Sequence, residues 1–411
     1  MTLFTTAPRL LVDRLLQKFG RAAGLVLLAR VLQNLNGFLL SILIVRRFGL
    51  QGAGTLVIAT IAIVILALIG TCGLPYTLAR MNIDPKQRNT VGLFACMAVV
   101  PLSLPFVGAL GLIVGHSHKE ALVIALLALG GPFFAQTNIT NALQVLLNKP
   151  GDAIIPPIGN LLGLIVAAWV SPGFVTFAAI LAAFRFAAIG CAFLRLPCRR
   201  TSFRMLITHM ADGARYLIAD AINLGTDQAA MLILSFILSR AQLGLLGLCR
   251  QLITVSDTPG WSQIQAFYPG MVADPARNGP LLISRLRWIG IVSAASVALL
   301  TAPLGLWIYR APGFLVLAPL LQVSTPIRYL LAAYDTRLRA LGLVAASNRI
   351  SAIRGVLTLA IIPAGAWAAG AFGAVVAIII QVVLATYLTR RVPIYGTQPA
   401  LKSFAIVKPI S

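Results

Sequence analysis

The residues of this chain that can do chemistry are charged and amide side chains set inside long apolar runs. Arg30 is followed four positions on by Asn34, and Asp220, Asn223 and Asp227 succeed one another at spacings of three and four. Arg250, Thr254 and Asp257 keep a similar spacing, Arg328 and Asp335 stand seven apart, and Arg185 stands alone. On a helix of 3.6 residues per turn, positions three, four and seven apart share one face. A charge at the centre of a membrane helix costs about 2.5–3.5 kcal/mol on insertion scales, so such groups face a cavity or a partner. The pattern predicts a polar interior lined by Arg30, Asp220, Asp227, Arg250, Asp257, Arg328 and Asp335, between two halves of the chain. Arg185 either snorkels to an interface or faces a neighbouring helix. Two readings stay open: ion pairs that close a helix bundle, and a cationic cavity for a phosphate-bearing cargo. Arginine suits the second, because its planar donors bind two phosphate oxygens at once.

Other chemistries find no support in the residue pattern. Glu120 is the sole glutamate and falls in a loop. His116 and His118 alternate in one loop without cysteine or carboxylate ligands around them, a pattern more often solvated than metal-bound. No Walker-type phosphate loop and no Asp-rich motif for prenyl-phosphate chemistry occurs. Cys72, Cys96, Cys191, Cys198 and Cys249 lack any Cys-x-x-Cys spacing and read as small core residues. The expectation is a protein without catalytic residues, metal or cofactor.

The elements that must position these charges are membrane helices. Hydrophobic residues make up 59% of the 411 residues and charged ones 10%, where a soluble domain has roughly 25% charged. The net charge of +23 is spread between apolar runs rather than gathered in a patch. It therefore suits topogenic loops and anionic lipid headgroups, not nucleic acid. Runs poor in charge place twelve spans at about 22–44, 52–76, 90–114, 121–147, 153–171, 173–194, 211–237, 242–266, 288–309, 315–341, 348–367 and 370–389. The fold class expected is all-α and polytopic. Residues 1–21 read as a basic, mildly amphipathic tail rather than a cleavable signal, because the apolar run that follows is too long for one.

Basic residues set the expected orientation. With the N-terminus inside, the inner loops and tails collect most of them, among them Arg80, Lys86, Arg88, Arg195, Arg199, Arg277, Arg285, Arg287, Arg390 and Arg391. The outer loops keep only Arg46, Arg47, Lys119, Arg240 and Arg310. Both termini are then cytoplasmic.

An internal repeat divides the chain. Phe48-Gly-Leu-Gln-Gly-Ala-Gly54 leads into the second span, and Leu238-Ser-Arg-Ala-Gln-Leu-Gly244 leads into the eighth. Asn148-Lys149 and Asn348-Arg349 precede the fifth and eleventh. Two six-helix bundles follow, residues 1–200 and 201–411, the arrangement of alternating-access carriers built from two repeats.

The stretch Val45–Arg80 carries a resemblance. Its Arg46-Arg47-Phe48-Gly49 turn continues through Gly52 and Gly54, an uncharged helix follows, and Gly73-Leu74 leads to Arg80. Asp227-Gln228 precedes Gly244 and Cys249-Arg250-Gln251, and Tyr268-Pro269 follows the eighth span. Together these resemble the polysaccharide and O-antigen flippases of the multidrug/oligosaccharidyl-lipid/polysaccharide (MOP) exporter superfamily. The sequence departs from that pattern at Leu246, where the family has tyrosine. The resemblance implies a bacterial inner-membrane flippase of O-antigen, capsule or exopolysaccharide repeat units. The cargo would be a polyprenyl-diphosphate-linked oligosaccharide. The partners would be that lipid-linked cargo, the bilayer and other polysaccharide-assembly proteins of the same membrane. A multidrug or organic-cation antiporter of the same fold remains an alternative, as does a membrane polysaccharide polymerase or ligase. Matching depths on adjacent spans further predict that Asp227 and Arg250 pair across the cavity.

Overall fold

A computed structural model describes residues 21–71, 84–115, 117–146, 150–199, 222, 224–341 and 343–391. Every regular element among them is helical. Eight helices are long and apolar enough to cross a membrane, and two of these are pairs joined at a break. The continuous helix Arg21–Thr71 loses helical geometry at Gly49, whose φ of 70° favours glycine. Beyond it the chain folds back: a β-carbon on Gly52 would lie 3.3 Å from Ile44 Cγ2, whereas eight residues of straight helix would separate them by about 12 Å. Val344–Arg390 breaks in the same way at Ala369 and Gly370, with φ 61° at the glycine. Of the three glycines expected to form the first turn, only Gly49 does so; Gly52 and Gly54 are helical and serve close packing.

The eight membrane-length helices, two of them broken, make ten passes, and the shorter apolar helix Leu224–Ile237 and the long helix Arg240–Ala273 bring the helical passes among the described residues to twelve. In chain order they are α1 (21–48), α2 (50–71), α3 (Pro85–Val114), α4 (118–146, continuous past Leu129), α5 (Ile155–Val170) and α6 (Phe174–Leu194). The second six are α7 (Leu224–Ile237), α8 (Arg240–Ala273), α9 (Pro275–Pro303), α10 (312–340, continuous past Val323), α11 (344–368) and α12 (371–390). A π-helical turn, Leu304–Tyr309, extends α9 directly after Pro303. The protein is a polytopic all-α membrane protein built as two six-helix bundles. Asp220 and Cys72 lie outside the described residues.

The two bundles meet along α2 and α8. A β-carbon on Gly54 would sit 2.1 Å from the Arg240 carbonyl oxygen, and one on Gly244 would sit 2.3 Å from the Leu50 carbonyl oxygen. Positions 50 and 240, like 54 and 244, differ by 190, the offset of the sequence repeat. The contact is therefore reciprocal: each repeat presents its glycine to the other repeat's carbonyl, as at a two-fold interface. Gly247 continues the seam against Val57.

The turns that begin and end this seam share one end of the molecule, here the hairpin end. Arg240 Nε donates to Glu120 Oε1 at 2.9 Å, and its guanidinium also donates to the Val114 carbonyl. Thr55 Oγ1 donates to the same Glu120 oxygen at 3.1 Å. Arg46 reaches the Trp307 carbonyl, and Arg47 Nη1 donates to Ser171 Oγ at 3.0 Å. Glu120, expected in a solvated loop, instead sits in the first turn of α4 and pairs between the bundles, with side-chain exposures of 10% for Arg240 and 16% for Glu120.

The apolar core follows the same asymmetry. At the hairpin end one cluster joins both bundles, from Val45, Ala53 and Ile58 to Leu243, Leu246 and Phe314. At the opposite, basic end each bundle has its own: Val91, Cys96 and Leu143 in the first, Ile264, Leu286 and Tyr329 in the second. Among the described residues, the shared cluster and the α2–α8 seam join the bundles toward the hairpin end, and the clusters toward the basic end belong to one bundle each. Cys96 and Cys249 are buried core residues as expected, whereas Cys191 and Cys198 are exposed.

The seam generates a prediction. Gly54→Val and Gly244→Val each force side-chain atoms into a carbonyl of the facing helix. Overpacking of this kind costs about 1–3 kcal/mol, so each variant should lower the thermal midpoint and folded yield in detergent, whereas Gly108→Val, with open space around it, should not. Equal behaviour of all three variants would mean that α2 and α8 do not cross there.

Candidate functional site

The charged residues of the second bundle converge on one cavity of about 650 Å³. Close helix contacts bring them there. A β-carbon on Gly355 of α11 would meet Thr226 Cγ2 of α7 at 2.8 Å, and that approach places the adjoining Arg354 beside Asp227. Their ion pair spans 3.6 Å, with a third of each side chain exposed.

On the facing wall, α8 and α10 are joined by two successive residues of α10. Arg328 pairs with Asp257, whose side chain is 14% exposed. The Tyr329 hydroxyl donates to the Ser256 carbonyl and accepts from the Gly260 amide at 3.0 Å. Those two backbone groups are four residues apart, the ends of one ordinary helical rung. The hydroxyl is thus inserted into the hydrogen-bond ladder of α8, beside Pro259, which has no amide hydrogen to continue it. Ser293 of α9 donates to the same Ser256 carbonyl at 2.8 Å, and Ser256 Oγ donates to Gln322 Oε1 at 2.9 Å.

Toward the basic end, Asp335 pairs with Arg339 at 2.9 Å, one turn along α10, and accepts from Ser347 Oγ at the start of α11. Among the described residues, each of the cavity's three carboxylates is therefore matched by an arginine other than Arg250. Arg250 itself lines the cavity and forms no ion pair among the described residues, although Asp227 and Arg328 lie near enough to act on its charge. Asp257 Oδ1 and Gln381 Nε2, also on the cavity wall, are buried without a hydrogen-bond partner among the described residues.

The structure brings Asp227, Arg250, Asp257, Arg328 and Asp335 together inside the second bundle rather than between the bundles. All five belong to α7, α8 and α10, whose polar faces turn toward α11 and α12. Asp227 is bonded to Arg354, not to Arg250, because the Thr226–Gly355 contact brings α11 closer to Asp227. The Arg30 side chain and Asp220 lie outside the described residues, and Asn34 is exposed. Arg185 faces neighbouring helices: 2% exposed, it donates from Nε to Asn160 Oδ1 at 2.8 Å and stands over the rings of Phe133 and Phe134. Arg354, Arg339, Tyr329 and Gln381 are cavity residues that the sequence reading missed. Arg354 carried a usable signal, since it is a charge six residues inside the eleventh span.

No protein-family model matches the chain, and no curated protein matches its sequence. Solved structures match its fold. An inward-facing multidrug resistance MATE family transporter of the MOP superfamily superposes with a TM-score of 0.67 at 14% identity, over 87% of this chain and 92% of that one. The MATE multidrug transporter DinF-BH, solved as a complex, gives 0.62 at 16% identity, over 92% and 95%. A MOP superfamily transporter from Pyrococcus furiosus, described as having a binding pocket of reverse polarity, gives 0.54 at 11% identity, over 90% and 93%. The chain has the fold of these transporters.

The two-walled geometry predicts coupling between Asp257 and Arg328. Asp257→Asn and Arg328→Gln should each reduce folded yield, and the double variant should lose less than the sum. The interaction should fall within about 0.5–3 kcal/mol, because either single change strands a charge. A double-mutant cycle on thermal stability checks it, and strict additivity would sever the pair.

Proposed function

We propose that this protein is a carrier that moves an anionic cargo across the membrane by alternating access. In the fuller form of this reading the cargo is a polyprenyl-diphosphate-linked oligosaccharide, a repeat unit of O-antigen, capsule or exopolysaccharide. The membrane is the bacterial inner membrane, the basic end and both termini are cytoplasmic, and residues 1–200 and 201–411 are the two moving bundles. The observation that carries the reading is Arg250: among the described residues three cavity carboxylates are matched by three arginines, and one arginine is left over. A surplus guanidinium in a low-dielectric cavity is stabilised by an anion, and a diphosphate offers it paired oxygens. The separation of the bundles at the basic end would then be the state that loads cargo from the cytoplasmic leaflet.

A second reading has its own support. Two of the transporters superposed above are described as multidrug transporters, which favours a multidrug or organic-cation antiporter. In that reading Asp227, Asp257 and Asp335 would leave their arginines to bind a cation. The MOP transporter described as having reversed pocket polarity belongs to the same fold, so the fold accommodates binding pockets of different polarity.

Transport in proteoliposomes separates the two. Wild-type protein should flip a fluorescent polyprenyl-diphosphate oligosaccharide, Arg250→Gln should lower that rate at least tenfold, and Arg250→Lys should retain part of it. Efflux of a cationic rhodamine dye by the wild type, with no flipping of the lipid-linked sugar, would replace the first reading by the second. Orientation is tested separately: reporters fused after Arg200 and Lys402 should read as cytoplasmic, and one at His118 as external.

A further inference from the structure

A second cavity of about 650 Å³ lies on the other side of α10 from the first. It is formed at the basic end by the first half of α9, the end of α10 and the last turn of α12. Arg287, Arg337 and Arg390 line it, and no carboxylate among the described residues does. None of the three forms an ion pair among the described residues. Arg337 Nε is fully buried without a hydrogen-bond partner, and Gly279 leaves it room, since a β-carbon there would lie 3.1 Å from that nitrogen. The contrast along α10 is sharp: Arg339 and Asp335 neutralise each other on the face toward the first cavity, while Arg337 faces the second unpaired.

The rim identifies the environment. Trp288 and Tyr334 line the cavity, and Trp288 is 66% exposed. Tryptophan and tyrosine mark the headgroup level of membrane proteins. Further along α9 toward the bilayer centre, Ile291, Val292, Leu299 and Leu300 are all exposed and apolar. A ligand seated here meets three guanidiniums at headgroup depth and an apolar stripe below them. That is the chemistry of a phospholipid with an anionic head, and basic pockets between helices on the cytoplasmic side bind such heads. The cargo cavity lies behind α10, so the stripe offers lipid tails a course outside the transport path.

We propose that the groove between α9, α10 and α12 binds the phosphate of an anionic membrane phospholipid. Thr389 lines both cavities, so a lipid held here braces the wall that α10 and α12 give the cargo cavity. The proposal does not depend on which cargo is carried.

The test reconstitutes the full-length protein in phosphatidylcholine nanodiscs and measures retention of added phosphatidylglycerol by native mass spectrometry. Arg287 and Arg390 are exposed, so Arg287→Gln with Arg390→Gln removes two groove charges without disturbing packing. Arg277→Gln with Arg349→Gln removes two exposed charges outside the groove. Wild type and the second double variant should retain phosphatidylglycerol alike, and the groove variant should retain at least fivefold less. Equal loss in both variants would reduce the effect to general surface charge, and equal retention in all three would empty the groove of its role. A parallel arm adds polyprenyl phosphate; a wild-type preference for it over phosphatidylglycerol, abolished by the groove variant, would overturn the phospholipid assignment in favour of cargo.

Discussion

The crossing of α2 over α8 constrains everything else in this structure. Two helices whose backbones approach within carbonyl contact need small residues where they meet, and in a bilayer such approach supplies much of the association energy, because lipid tails compete with apolar side chains for contact. Gly54 and Gly244 meet that need reciprocally. The reciprocity has a structural consequence. Two bundles joined by one near-symmetric seam can rock about it while each keeps its own core, and the separate clusters at the basic end are cores of that kind.

The polar interior follows from the cost of charge in lipid. Each carboxylate of the cavity is held by a guanidinium, which lowers the cost of keeping either there, though a buried pair rarely repays its full desolvation. The pairs also differ in depth. Asp257–Arg328 is the least exposed and is clamped by Tyr329 within the ladder of α8; Asp227–Arg354 is open to the cavity and longer. The same two states, pairs closed on themselves or opened to a ligand, reconcile the structural and functional readings of these residues.

Much of this was legible in the sequence, and the limits have physical reasons. Twelve passes, the sorting of basic residues to one end and the glycine repeat all follow from composition and spacing, which depend on the chain alone. The facial spacing of Asp227, Arg250, Asp257, Arg328 and Asp335 was enough to predict that they share an interior. Which partner each would take was not, because pairing depends on helix approach: Gly355 against Thr226 decides for Arg354 over Arg250. Tyr329 gave no signal, since inserting a hydroxyl into a neighbouring helix's rung leaves no pattern in either sequence. Glu120 was misplaced for a related reason: a loop charge looks solvated until the other bundle is packed over it.

Helix α8 ties the seam to the cavity. Arg240 and Gly244 hold it against the first bundle, and Arg250 and Asp257 lie further along the same helix, facing the second. From Gly244 to Arg250 is six residues, about 9 Å of rise. A straight helix transmits a tilt over that distance without loss. In the proposed anion carrier, a shift of Arg250 toward its cargo would load the Glu120–Arg240 contact at the hairpin end, while the Tyr329 insertion would keep the far half of α8 fixed to α10. The helix is held beyond Asp257 and at its start, and the segment between carries Arg250, which forms no ion pair among the described residues. In a carrier, differential contacts in the two states are what let a ligand shift the balance between them. Here the group that would make such a contact and the pair that would have to break share one rigid element, so coupling between cargo and seal requires no longer pathway than about three turns of helix.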